Sequence, residues 1–151
     1  MIRKISIGLT CLFIVAGCNK TMPEVGIANG RLTPCPAKPN CVNSQIEDAK
    51  HFIEPIRMAA TPPEARARIL KILNDLKQAK IIAAESNYIR AEFTSKIFRF
   101  VDDVEFYFPE TKSPELIIHV RSASRVGYSD FGVNRKRIEH IRSKLKAVSQ
   151  E

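Results

Sequence analysis

Three sets of residues in this sequence have types and spacings that can do chemistry. The first is Cys18, which follows Ile14-Val15-Ala16-Gly17 at the end of an apolar segment that begins after Arg3 and Lys4. A positive start, an apolar stretch from Ile5 to Val15 and small residues before a cysteine make the pattern of a bacterial lipoprotein signal peptide. Its chemistry is cleavage behind Gly17 and lipid attachment to the Cys18 sulfur. The thirteen residues from Ile5 to Gly17 fall short of the about 20 that a membrane-spanning helix needs.

The second set is Cys35 and Cys41. Of the four cysteines, Cys11 leaves with the signal peptide and Cys18 is consumed by lipid, so these two remain. Export places them in an oxidising compartment, and Pro36 and Pro39 between them restrict the loop, so a disulfide is expected. Closing so small a loop contributes roughly 2 to 3 kcal/mol in the chain-entropy model. A zinc site is the competing reading. It wants about four ligands, and His51, His119 and His140 are scattered without paired spacing, so neither metal nor cofactor is expected.

The third set is polar and dense. Arg121-Ser122-Ala123-Ser124-Arg125-Val126-Gly127-Tyr128-Ser129-Asp130-Phe131-Gly132-Val133-Asn134-Arg135 concentrates hydrogen-bonding groups in what reads as a strand-to-helix connection, with Arg99, Asp102, Asp103 and Arg137 on its flanks. Arginines beside aspartates make either a structural ion-pair network or a site where a spare guanidinium fork takes a phosphate or carboxylate. A helix N-terminus near Asn134 would add backbone N–H groups to such a site. Ser129 and Asp130 with His119 or His140 are the residue types of a hydrolase triad, but no Gly-x-Ser-x-Gly elbow is present. Asp102 and Asp103 are neighbours in a strand and point to opposite faces, which spoils them as a glycosidase pair. No catalytic residue is therefore assigned, and a hydrolase remains the alternative to a binding or structural module.

Charge bounds the partners. The chain carries 24 Lys plus Arg against 16 Asp plus Glu; loss of Arg3 and Lys4 leaves 22 against 16, a mature net charge of +6. The excess gathers between Arg121 and Lys146. On an exported, lipid-tethered protein such a patch meets anionic lipid or an envelope polymer rather than nucleic acid, unless it is only a solvated helix face. The expected location is the cell envelope. Asn19 after the cysteine resembles signals that permit outer-membrane delivery, where the host is Gram-negative.

These groups need elements to hold them. Residues 1–17 form the signal peptide, 18–33 a flexible tether, and 34–151 one domain of ordinary size. Seven of nine prolines fall between residues 23 and 63, which reads as tether and loop, with a strand considered at Phe52 to Met58. Thr61-Pro62-Pro63-Glu64 is a capping box that starts a helix running to about Gln78, with Ala65, Ile69, Leu73 and Leu76 on one face. Ile81 to Ala84 and Tyr88 to Thr94 read as strands. In Ile97 to Phe108, residues Phe98, Phe100, Val104, Phe106 and Phe108 share one parity, so a single long strand is expected. Asp102 then points to the aromatic face and requires a basic or hydroxyl partner. Glu115 to Ser122 forms the last strand, and a final helix from about Val133 or Asn134 to Val148 buries Ile138, Ile141, Leu145 and Val148. The order implies an α+β two-layer sandwich: an antiparallel sheet of about four to five strands with both helices on one face.

Three motifs also carry a family resemblance. Pro34-Cys35-Pro36 through Pro39-Asn40-Cys41-Val42-Asn43-Ser44, then Ile97-Phe98-Arg99-Phe100-Val101-Asp102-Asp103-Val104-Glu105-Phe106, then Arg125-Val126-Gly127-Tyr128-Ser129-Asp130 resemble the family labelled domain of unknown function 1499, over roughly residues 33 to 148. Asn43 stands where that family leads one to expect serine. The resemblance implies a mostly bacterial, often envelope-attached protein and brings no established activity.

Overall fold

The computed structural model describes residues 24–111 and 115–148. The segment read as a signal peptide, Cys18 and the first residues read as tether lie outside the described residues. Two short strands come first among the described residues, β1 (Ile27–Ala28) and β2 (Arg31–Leu32), paired as a small antiparallel hairpin. This hairpin falls within the stretch read from sequence as flexible tether, and Leu32 is buried. Cys35 and Cys41 are joined by a disulfide.

Then follow β3 (Cys41–Asn43), β4 (Ile56–Met58), helix α1 (Pro62–Asp75), β5 (Ala79–Ala84), β6 (Tyr88–Thr94), β7 (Val101–Tyr107), β8 (Leu116–Ser124) and helix α2 (Val133–Val148). The main sheet runs β3-β8-β7-β6-β5, antiparallel throughout, and β4 also pairs with β8. It has six strands, more than the four to five expected. The additional one is β3; β4 falls inside the strand considered at Phe52 to Met58. Each is three residues long in the proline-rich stretch, and they share one edge of β8: β3 pairs with Arg121 to Ala123 and β4 with Leu116 to Ile118.

Helix α1 begins as its capping box dictates: the Thr61 hydroxyl accepts from Glu64 N, and Glu64 Oε2 accepts from Thr61 N at 2.9 Å. Ala65, Ile69, Ile72 and Leu73 turn into the core. The helix stops at Asp75, earlier than periodicity suggested, because Leu76 is extended and Ala79 already opens β5. Both helices cover the face of the sheet that carries Ile89, Ala91, Phe93, Val104, Phe106, Ile118 and Val120; Ile138, Ile141 and Leu145 of α2 complete this core. Among the described residues no helix is long and apolar enough to cross a membrane.

One expected element is corrected. The strand read as Ile97 to Phe108 begins only at Val101. A turn precedes it, closed by Ser95 N donating to Phe100 O at 2.9 Å and Phe100 N to Ser95 Oγ at 2.9 Å, with Arg99 in the left-handed region at φ 56°. Phe98 and Phe100 therefore leave the core and stack on each other outside it, ring centroids 5.5 Å apart. Parity holds for Asp102, Val104, Phe106 and Phe108.

Candidate functional site

The alternation of a strand sorts the polar residues of β7 onto two faces. Asp103 and Glu105 point away from the helices, and the residues beside them in register are Glu92 and Arg90 on β6 and Ala123 and Arg121 on β8. Asp103 is gripped twice: Arg90 donates through Nε and Nη2 to Oδ1 at 3.0 and 2.8 Å, while Arg125 places Nε on Oδ2 at 2.7 Å and Nη2 on Oδ1 at 2.8 Å. Arg125 also pairs with Glu92. Burial by itself would lift the Asp103 carboxyl, but the hydrogen bonds from Arg125 and Arg90 outweigh it and hold its pKa below the ordinary carboxylate value. The same bond to Asp103, with that to Glu92, raises the pKa of Arg125.

Glu105 is completely buried. Its Oε2 accepts from Arg121 Nη1 at 2.7 Å, and its Oε1 accepts from the Tyr88 hydroxyl and from the backbone N–H of Gly26, each at 2.7 Å. Burial, and then the charge and bond of Glu105, push the Tyr88 phenol far above its usual pKa. Arg121 Nε is buried and makes no hydrogen bond among the described residues. A cleft of about 570 Å³ lies here, lined by Glu24, Val25, Thr33 to Pro36, Asp103, Arg121 and Ala123 to Arg125.

Asp102 meets a different set on the helix face. Arg137 of α2 pairs with it, also donates to Ser122 Oγ at 2.9 Å and Asn134 Oδ1 at 2.6 Å, and lies over the Phe93 ring at 4.9 Å. Asn134, fully buried, passes Nδ2 to Asn40 O and Ser124 Oγ, both at 3.0 Å. The disulfide loop, β8 and the start of α2 are thus knitted by one amide.

The residues singled out from sequence therefore divide. Asp102, Arg137 and Asn134 form one cluster, and Asp103, Arg121 and Arg125 belong to another. Arg99 is exposed in the turn before β7 and joins neither. Tyr128 is exposed. Ser129 Oγ accepts from Phe131 N at 3.3 Å, and Asp130 accepts from Gly132 N at 3.0 Å and Asn134 N at 2.7 Å, so the N-terminus of α2 already has a carboxylate on it. His119 contacts Ser44, Nδ1 to Oγ 3.2 Å, and stacks on Tyr107; burial, then the charges of Arg31 and Arg57, lower its pKa. His140 is exposed on α2. No triad forms from these groups. Among the described residues no group of three or more His, Cys, Asp and Glu side chains is arranged to hold a metal ion.

Sequence reasoning missed Glu105, Arg90, Glu92 and Tyr88. They alternate on β6 and β7 with the apolar set, opposite in parity to it. A charged residue at alternate positions ordinarily marks a wet face, and here that face is covered by the β1–β2 hairpin and residues 24–36. Asn43, also fully buried, donates to Thr33 O at 3.0 Å and accepts from Gln45 N at 2.8 Å, fastening the same lead-in.

What these elements define is a two-layer α+β domain with an apolar core under its helices and an ion-paired second face. The chain matches, over residues 31–145, the family described as "Protein of unknown function (DUF1499)", and it belongs to that family. No curated protein matches it.

Proposed function

We propose that this is a lipid-anchored, non-enzymatic module of the bacterial cell envelope, and that its arginine–carboxylate network is a stabilising lattice that fastens the tethered end of the domain to the sheet. The observation that carries the reading is the bond from Gly26 N to Glu105 Oε1. Gly26, inside the stretch read as tether, is held by a buried carboxylate, which is itself held by Arg121 and Tyr88. Asp102, Asp103 and Glu105 each already have a guanidinium partner. A lattice of this kind resists a pull on the tether, and Cys18 supplies the attachment, with outer-membrane delivery favoured by Asn19 in a Gram-negative host. The hydrolase alternative has less support, because Ser129, Asp130 and His119 are each engaged elsewhere.

Thermal melts of Arg125→Ala, with and without phosphate, test the lattice. Its side chain is about one quarter exposed, and Arg90 would still hold Asp103, so a loss of roughly 1 to 3 kcal/mol is expected, independent of phosphate. A variant that melts like the parent rules the lattice out, and a parent whose melting temperature rises in phosphate while the variant's does not turns the site into an anion receptor. The anchor is read separately. Intact mass should show lipid on Cys18, and a Cys18→Ser chain should lack it.

A further inference from the structure

One end of the sheet is far more apolar than a soluble surface requires. The strand register brings two loops together there: β7 starts and β8 ends side by side, with Asp102 opposite Ser124 and Arg125 N donating to Val101 O at 3.2 Å. The first loop, from Ser95 to Phe100, exposes Ile97, Phe98 and Phe100; the second, from Arg125 to Gly132, exposes Val126, Tyr128 and Phe131. Phe131 is 89% exposed, Ile97 83% and Phe98 72%. Large apolar side chains grouped at a tip, rather than scattered singly, mark a contact surface.

Its chemistry favours one occupant. Beside the first loop, against α2, lies a cleft of about 440 Å³ walled by Leu76, Phe93 and Val133, with Lys96, Lys136 and the Asp102–Arg137 pair also on its lining. Arg99 is exposed in the first loop, in a left-handed turn that separates Phe98 from Phe100. Apolar tips ringed by lysine and arginine suit the boundary of an anionic bilayer, where aromatic side chains enter the headgroup layer and the cations meet phosphate.

The path of the chain points the same way. Glu24 and Val25 line a cleft with Ala123, Ser124 and Arg125, so the described chain begins beside the strand end from which the second loop leaves. Cys18 is six residues earlier, at most about 20 Å of fully extended chain. A lipid there holds this end of the domain, and not the opposite one, near the bilayer.

We propose that the loops Ser95–Phe100 and Arg125–Gly132 form a membrane-docking surface that inserts Phe98 and Phe131 into anionic bilayers, with Lys96, Arg99 and Lys136 on the headgroup phosphates. The orientation argument rests on the lipid anchor proposed above; the docking surface itself does not.

The chain has no tryptophan, so single reporters are clean. Phe98→Trp, Phe131→Trp and, at the opposite end of β6, Ser86→Trp are placed in the full-length chain, purified from membranes and reconstituted into vesicles of equal parts phosphatidylethanolamine and phosphatidylglycerol in lipid excess. All three sites are exposed, and a melt of each variant checks the fold. The expected result is a blue-shifted emission and several-fold stronger quenching by brominated lipid at positions 98 and 131 than at 86, weakened in the Lys96→Glu/Lys136→Glu background and in vesicles of phosphatidylcholine alone. Emission at 98 and 131 that stays as wet as at 86 overturns the proposal and leaves the tip for a protein partner. Intact mass on the same sample reports the anchor. If lipid is absent the anchor reading fails, while the fluorescence still decides docking because vesicles are present in excess.

Discussion

The two faces of β7 are built from the same seven-residue strand and held by opposite physics. On one, Val104 and Phe106 pack under α1 and α2 with Ile69, Ile138 and Ile141, and no partner has to be exact: apolar area removed from water stabilises in proportion to its extent. On the other, Asp103 and Glu105 are as deeply buried, and each depends on particular donors at 2.7 to 3.0 Å. The first face tolerates repacking. The second does not, because removing one partner leaves a buried charge that water cannot reach. Both faces join segments far apart in sequence, but the second ties in the N-terminal lead-in, Gly26 and Glu105 being 79 positions from each other. The apolar face thus supplies stability, and the ionic face specifies where the N-terminal segment docks.

The largest effects should come from one blow to each face. Phe106→Ala is expected to cost about 3 to 5 kcal/mol through lost burial and the cavity left behind, read as a fall in the denaturation midpoint with an unchanged slope. Arg121→Met should cost a similar amount, about 3 to 5 kcal/mol, for the other reason: it strands Glu105. The two are told apart by a second substitution. Glu105→Gln keeps an acceptor for Tyr88 and Gly26 and removes the charge, so Arg121→Met with Glu105→Gln should melt above Arg121→Met alone; a double variant that melts lower still would place the importance of Arg121 in packing.

A smaller and more graded difference should appear with acid. Asp103 has a folded-state pKa below its unfolded value of about 3.8, so the stability it contributes is complete above that pH and drains away as pH falls through the depressed folded value. Val104 and Phe106 on the other face carry no titratable group. Melting temperature followed from pH 6 downward should therefore drop below about pH 4, and Asp103→Asn should flatten that part of the curve while lowering its neutral plateau. An unaltered acid limb in Asp103→Asn would assign the acid sensitivity to other groups.

How far the sequence disclosed this depended on which face a residue served. Val104, Phe106, Phe108 and Asp102 were legible because a period of two is a strong signal, and the demand that Asp102 find a basic partner is met by Arg137 of α2. The helices were legible from Thr61 and Glu64 and from the spacing of Ile138, Ile141 and Leu145. Glu105 was not, since nothing local distinguishes a buried carboxylate from a wet one on the alternate face; its partner Gly26 lies across most of the domain. Phe98 and Phe100 misled because their parity continues that of β7 through a turn fixed by Ser95 and the left-handed Arg99. β4 falls inside the strand considered at Phe52 to Met58, whereas β3 was too short to show any periodicity, being formed by tertiary pairing with β8.

The bulge in β5 has a consequence for how copies of this chain coexist. That strand is the last in the sheet, and its register with β6 shifts between Ile81 and Ala83. A straight terminal strand offers a ladder of open peptide groups to any neighbour, and crowding at a surface multiplies the encounters. Here the irregularity breaks the ladder midway, Lys80 sets a charge on the strand, and Arg66 reaches from α1 to take the carbonyls of Ala84 and Glu85. The sheet is guarded on that side against growing by addition of a second molecule.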